Sequence, residues 1–327
     1  MDKNTEKKRI LVVGGAGYIG SHVQKQLLAE GFEVVIYDNL STGDKVNVLD
    51  GAEFIKGDIL DKKALSQVMS QHIDGVVHLA AKKAVGESMV HPEIYAENNI
   101  TGALNILNAM VENNVKHIVF SSSAAVYGMP HYTPIDEKHP ISPINYYGYT
   151  KIAIEQNMDW YARLGKLNYA ALRYFNAVGY AADKSITGRE RNPQNLLPIV
   201  MEVATNKRDK LTIFGQDYDT PDGTCVRDYI HVSDLATAHT AALRRLMSDD
   251  KSFAVNLGTG KGTSVTEIVK AAEKVIGKKL NYDYGSRRAG DPATLTANAD
   301  LAFKLLGWKP RYTDIEEIIR TVWNLEI

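Results

Sequence analysis

The apolar run Ile10-Leu11-Val12-Val13 leads straight into Gly14-Gly15-Ala16-Gly17-Tyr18-Ile19-Gly20, and an amphipathic pattern over residues 19–29 follows. Strand, glycine-rich turn and helix in that order open a doubly wound α/β fold. Gly14, Gly17 and Gly20 make a G-x-x-G-x-x-G loop. Missing side chains let such a loop turn tightly and approach a pyrophosphate, while the helix start supplies unpaired N–H groups and a positive dipole end. A glycine-rich turn with no ligand has the same short pattern, so the setting must decide. Asp38 ends the next apolar run, Val34-Val35-Ile36-Tyr37-Asp38, about 20 residues beyond the glycines. A carboxylate there can accept from both ribose hydroxyls of an adenosine and repels a 2′-phosphate, so the expected dinucleotide is NAD.

The rhythm of the first half agrees. Strands are predicted at 10–13, 34–37, 53–55, 75–79, 117–121 and 169–173, with helices at 19–29, 61–70, 94–112 and 148–163 between them. Strands apolar throughout are buried on both faces, and their alternation with helices gives a parallel sheet covered on both sides. After Asn176 the chain becomes rich in Gly, Pro and Asp, with predicted helices at 196–204 and 265–276 and a strand at 253–257. The expected architecture is a Rossmann-type domain over 1–176 and a smaller α+β substrate-binding domain over 177–327. Part of 226–260 is expected to pack back on the first domain.

Composition excludes some functions. Lys plus Arg number 38 and Asp plus Glu 39, a formal net charge of −1, so nothing points to nucleic acid or an anionic membrane. A polar start followed by one short apolar run reads as neither a signal peptide nor a membrane span. The single cysteine, Cys225, fits a reducing cytosol and offers no cysteine-based metal site.

Tyr147 and Lys151 are spaced i, i+4 at the start of a predicted helix, so their side chains share one face. A free tyrosine is a poor base at neutral pH, and a lysine ammonium held close, with the positive nicotinamide ring of NAD nearby, would favour its phenolate. Surface helices carry such pairs by chance. Here the pair follows a strand ending in Ser121-Ser122-Ser123, and Ser123 is the candidate to hydrogen-bond the oxygen that Tyr147 deprotonates. Asp58, after the third strand, is either a turn residue or a partner for an adenine amino group.

The Ser, Tyr-x-x-x-Lys set resembles that of the short-chain dehydrogenase/reductase superfamily, and in detail its UDP-glucose 4-epimerase family. The resemblance runs from Arg9 to about Trp308 through Gly14 to His22, Asp38-Asn39-Leu40-Ser41, Lys83-Ala84-Val85-Gly86-Glu87-Ser88, Ser121 to Gly128, and Tyr147-Gly148-Tyr149-Thr150-Lys151. It continues through Arg173-Tyr174-Phe175-Asn176, Asp222 to Val232, and Arg288-Ala289-Gly290-Asp291. What it implies is interconversion of UDP-glucose and UDP-galactose by transient oxidation at carbon 4, with NAD retained between turnovers and Tyr147 taking the 4-hydroxyl proton. Against the cofactor it places Tyr18, Ile19, Asp38, Asn39, Leu40, Ser41, Thr42, Gly43, Asp58, Ile59, Leu79, Ala80, Ala81, Lys82, Lys83, Asn98, Ser123, Tyr147, Lys151 and Phe175. Around the UDP-sugar, besides Ser123 and Tyr147, it places Asn176, Asn195, Leu196, Thr212, Ile213, Phe214, Arg227, Arg288 and Asp291. Arg227 and Arg288 are forks suited to a diphosphate, and either is equally readable as a solvated surface residue. A homodimer through the 94–112 and 148–163 helices is the family's usual assembly.

Two positions depart from the family pattern. Lys82 stands where an apolar residue is more usual, and Leu295 stands beside the carbon 2 substituent, where Tyr goes with plain hexoses and small residues with N-acetylated ones. Dual specificity toward N-acetylated UDP-sugars therefore stays open. Dehydration is disfavoured, because Ala124 and Ala125 after Ser123 cannot move protons. A non-catalytic NAD-binding scaffold is the remaining alternative, against which the chain keeps both Tyr147 and Lys151.

Overall fold

The computed structural model describes residues 7–189, 193, 195–288 and 290–327. The first half alternates as the hydrophobic runs dictate: β1 (Arg9–Val13), α1 (Tyr18–Ala29), β2 (Glu33–Asp38), β3 (Ala52–Lys56), α2 (Lys62–Met69) and β4 (Gly75–His78). There follow α3 (Val85–Val90), α4 (Pro92–Tyr95), α5 (Gly102–Glu112), β5 (His117–Ser123), α6 (Tyr146–Arg163) and β6 (Asn168–Tyr174). The predicted helix over 94–112 is helical throughout but not α throughout. A π-helical turn, Ala96–Thr101, separates α4 from α5, and its wider winding brings Asn98 to the central cleft while Asn99 beside it is fully buried.

The second half holds β7 (Asn176–Val178), α7 (Leu196–Ala204), β8 (Leu211–Phe214), β9 (Val226–His231), α8 (Val232–Asp249) and β10 (Phe253–Leu257). It continues with β11 (Gly262–Ser264), α9 (Val265–Ile276), β12 (Tyr282–Gly285), β13 (Thr294–Leu295), α10 (Asp300–Leu306) and α11 (Ile315–Trp323).

Seven parallel strands form the central sheet, in the order β10–β6–β5–β4–β1–β2–β3. Along β1, Ile10 and Val12 meet α1 and α8 on one face, while Leu11 and Val13 meet α2, α5 and α6 on the other. This is a Rossmann-like doubly wound sheet, and its direction of winding reverses between β1 and β4. The crevice outside the strand ends at that reversal is where such folds bind ligands. A second layer is built on β9, which pairs with β7, β11 and β13, and a third core joins α7, α9 and α11. Among the described residues no helix is long and apolar enough to cross a membrane.

Candidate active site

The loop between β1 and α1 is shaped by contacts that exclude side chains. Gly14 has φ +83°, and a Cβ there would lie 2.6 Å from the Ala80 backbone nitrogen; one on Gly20 would lie 2.3 Å from the Gly14 carbonyl oxygen. The loop thus lies flat against the segment leaving β4, and the α1 start faces the space between them. Gly17 caps α1 in extended conformation without a side chain, leaving the helix's first N–H groups to a ligand. These features fit a dinucleotide: the cradle is one that a Cβ at Gly14 or Gly20 would fill.

The cleft is lined by Gly14, Gly17, Tyr18, Ile19, Gly20, Asp38, Asn39, Ser41 and Thr42 on the β1–β2 side. Ile59, Leu79, Ala80, Ala81, Lys82, Lys83 and Asn98 close the other side, and Tyr147 and Lys151 stand at its end. Asp38 turns one carboxylate oxygen to the Ala16 N–H at 3.0 Å and the other to the Leu40 N–H at 2.8 Å, and burial raises its pKa. Five expected contacts stand back from the lining. Asp58 accepts from Asn39 Nδ2 at 2.8 Å and from the Leu60 N–H at 2.9 Å, so it positions Asn39, which does line the cleft. Leu40 packs on the core, Gly43 backs onto Ala16, and Phe175 packs against Ala124, Val126 and Tyr127. Ser123 reaches the cleft beside Tyr147.

Helix α6 starts where local chemistry sets it. Pro143 disfavours helix just before it, Asn145 Oδ1 accepts from the Gly148 N–H at 2.8 Å, and Ser88 Oγ accepts from the Tyr147 N–H at 3.1 Å. Tyr147 and Lys151 are thereby set one turn apart on the inner face. Ser123 lies beside the Tyr147 hydroxyl, and Lys151 Nζ donates to the Ser121 carbonyl at 2.8 Å. Lys151 is only 3% exposed, with its ammonium 5.6 Å from the Tyr147 ring centre. Burial dominates both groups, pushing Tyr147 up to about 12, against the pull of Ser123 beside it, and Lys151 down to about 7.

Of the residues expected around the UDP-sugar, the structure brings Arg227, Asp291 and Leu295 together. Arg227 Nη2 donates to Asp291 Oδ1 at 3.1 Å, and Leu295 is the register neighbour of Arg227 across β13 and β9. Leu295 and Phe175 pack on the turn that follows Ser123, which ties this group to the catalytic set. Arg288 stacks over the Phe214 ring at 4.1 Å. Thr212 Oγ1 donates to Asp283 at 2.8 Å, and the intervening Ile213 turns its side chain into the core, as strand alternation requires. Asn195 caps α7 ahead of Leu196, and Asn176 opens β7 opposite Tyr229. Ala289 lies outside the described residues.

Several residues with a part in the site carried no local signal. Tyr37, Asn47, Gly57, Tyr174 and Arg189 also line the cleft. Asn99 pins the segment after β4, accepting from the Lys82 N–H at 2.8 Å and donating to the Lys82 carbonyl at 3.0 Å and to Thr150 at 3.2 Å. Asp228 is fully buried and accepts from the Thr259, Gly260 and Ala297 N–H groups.

Residues 10–258 match the NAD dependent epimerase/dehydratase family, and the chain belongs to it. Within that class it is similar to UDP-glucose 4-epimerases along nearly its whole length. It is 50% identical over 317 residues to the UDP-glucose 4-epimerase of Lacticaseibacillus casei, covering 96% of each chain. Of solved structures, the UDP-glucose 4-epimerase from Brucella ovis in complex with NAD has a TM-score of 0.93 at 44% identity, covering 96% of this chain and 97% of that one. The enzyme from Bifidobacterium longum in complex with NAD+ and UDP has a TM-score of 0.91 at 39% identity, covering 98% of both.

Proposed function

We infer that this chain is an NAD-dependent isomerase that interconverts UDP-glucose and UDP-galactose, a UDP-glucose 4-epimerase of galactose metabolism. One observation carries the reading: Tyr147, half-buried beside Ser123 and backed by the buried Lys151, stands at the end of the cleft, and the residues after Ser123 are alanines, at 124 and 125. One acid/base suffices for epimerisation, whereas elimination needs a second. NAD, when bound, supplies the acceptor that takes and returns the hydrogen of the sugar's carbon 4.

The residues do the rest. Tyr147 Oη takes the proton of the 4-hydroxyl and gives it back, with Ser123 Oγ orienting the same oxygen. Lys151 offsets the negative charge on the phenolate from beneath. Gly14, Gly17, Gly20, Asp38 and the 79–83 segment hold the dinucleotide. Arg227 and Arg288 meet the diphosphate, Asp291 a uridine ribose hydroxyl, and Asn176, Asn195, Leu196, Thr212 and Phe214 complete the pocket. The dinucleotide belongs to residues 1–176 and the UDP-sugar to 177–327, with α8 and β10 packed on the first part. Tyr149, Trp160 and Leu164, left exposed along α6 and at its end, support a homodimer, and the lone buried Cys225 suits a cytosolic setting.

The test is an assay of purified protein with UDP-galactose and UDP-N-acetylgalactosamine side by side, with no dinucleotide added. The expected result is fast conversion of the first to UDP-glucose and slow conversion of the second. No conversion of either sugar, with NAD present and bound, contradicts the reading.

A further inference from the structure

Behind the catalytic pair lies a buried charged network that takes no part in the proton path above. Glu155 stands one turn beyond Lys151 on α6 and is 5% exposed; Arg173 on β6 is 6% exposed. Arg173 Nε donates to both carboxylate oxygens, at 3.1 and 3.2 Å, and Nη2 donates to Oε2 at 2.5 Å. Ser122 Oγ donates to Oε1, and Ser122 is both the register partner of Arg173 and the neighbour of Ser123. Arg173 Nη1 donates to Tyr127 Oη at 3.0 Å, and that hydroxyl donates to Asn256 Oδ1 at 2.7 Å. Buried ion pairs are weak sources of stability, because desolvating two charges cancels much of their attraction. The location of this one argues for another role.

We propose that Glu155 is a positioning residue of the reaction: clamped by Arg173 and Ser122, its carboxylate fixes α6 against β5 and β6 and keeps the Lys151 side chain charged beneath Tyr147. This rests on the reading of Tyr147 and Lys151 as the proton-handling pair. The surroundings of Lys151 set the sign. Its own helix presents Tyr147 and Glu155; β5 presents the Phe120 ring at 4.7 Å and the Ser121 carbonyl. From β4 comes His78, which burial keeps neutral with a pKa of about 3; β6 brings Tyr174, which adjoins Tyr147, and the Arg173 cation, which lies on the far side of Glu155 as its partner; Lys82 and Lys83 line the same cleft. Burial drives the Lys151 ammonium toward losing its proton, and Glu155 is the anion that opposes it.

The test is the pH dependence of kcat on UDP-galactose, measured with NAD content and thermal midpoint. In Glu155→Gln, the limb on which activity falls at alkaline pH should move down by about one unit or more, the size of shift that losing a nearby opposite charge produces. Glu155→Asp should restore most of that shift. Glu155→Gln leaves Arg173 buried and unpaired and so risks unfolding. The double variant Glu155→Gln/Arg173→Met removes both charges at similar volume and should lower the limb in the same direction but by less, because no unpaired Arg173 cation is left behind. A limb that stays put while kcat drops evenly at every pH makes Glu155 a structural clamp only and overturns the inference. Tyr147→Phe is run alongside: near-parental activity in that variant defeats the underlying reading, whatever Glu155 does.

Discussion

A phenol held near 12 and an ammonium held near 7 are each mistuned for catalysis at neutral pH when taken singly. Their value lies in being buried together, where any positive charge added nearby acts through a low-dielectric medium. Tyr147→Phe should therefore keep the fold and the bound NAD yet lose about 100- to 10,000-fold in kcat, as removal of a general acid–base group does. Activity within a few-fold of the parent takes Tyr147 out of the mechanism. Leu295 is argued by size. Half-buried against the turn after Ser123, it leaves more room than a tyrosine ring and less than a serine. A methylene-sized clash or gap is worth about 10- to 200-fold. Leu295→Ser should raise turnover of UDP-N-acetylgalactosamine relative to UDP-galactose, and Leu295→Tyr should lower it; an unchanged ratio in both shows that Leu295 is not the gate. Ser123, Tyr147 and Lys151 could be read in the sequence because fixed spacing and a strand end define them. Glu155 and Asn99 could not, since their partners lie 18 and 51 positions away and only the fold brings them close.

At the scale of elements, β1, β2 and β4 were legible because both faces of each are covered, so each reads as a nearly unbroken apolar run, whereas edge strand β3 shows only Phe54-Ile55. The short strands of the second half were not. β7, β11 and β13 have two or three residues each, too few to carry a period of two, and they exist because β9 offers partners on both edges. The helix expected over 94–112 is present but widens to π winding in the middle, where Asn99 is drawn inward to hold both the N–H and the carbonyl of Lys82. Asn99→Ala would leave those groups without their partner, at a cost of about 1–3 kcal/mol for a buried polar group left unsatisfied. It should lower the thermal midpoint and release NAD during gel filtration. Full NAD retention with an unchanged midpoint contradicts a positioning role for Asn99.

The whole molecule is closed by its second half, since α8 covers α1 and β10 adds the seventh strand beside β6. Burial in this assembly leaves four neutral histidines: His22 and His239 have pKa values of about 4, His78 and His231 of about 3, against 6.5 unperturbed. The unfolded chain therefore binds more protons as pH falls below 6.5. The stability these histidines contribute is complete above that pH and is lost toward their folded values, by about 1.4 kcal/mol per pH unit for each. The thermal midpoint should drop steadily between pH 7 and 5.5, and a midpoint that holds or rises there contradicts their neutral burial. The central claim, epimerisation at carbon 4 by a resident dinucleotide and one tyrosine, is tested most directly in heavy water. Purified protein, with no cofactor added, is given UDP-galactose in D2O, and the carbon 4 hydrogen is followed by proton NMR as UDP-glucose forms. The account predicts conversion to an equilibrium mixture in which both sugars keep their original hydrogen at carbon 4; deuterium appearing at that carbon, or no conversion by protein that carries NAD, would contradict it.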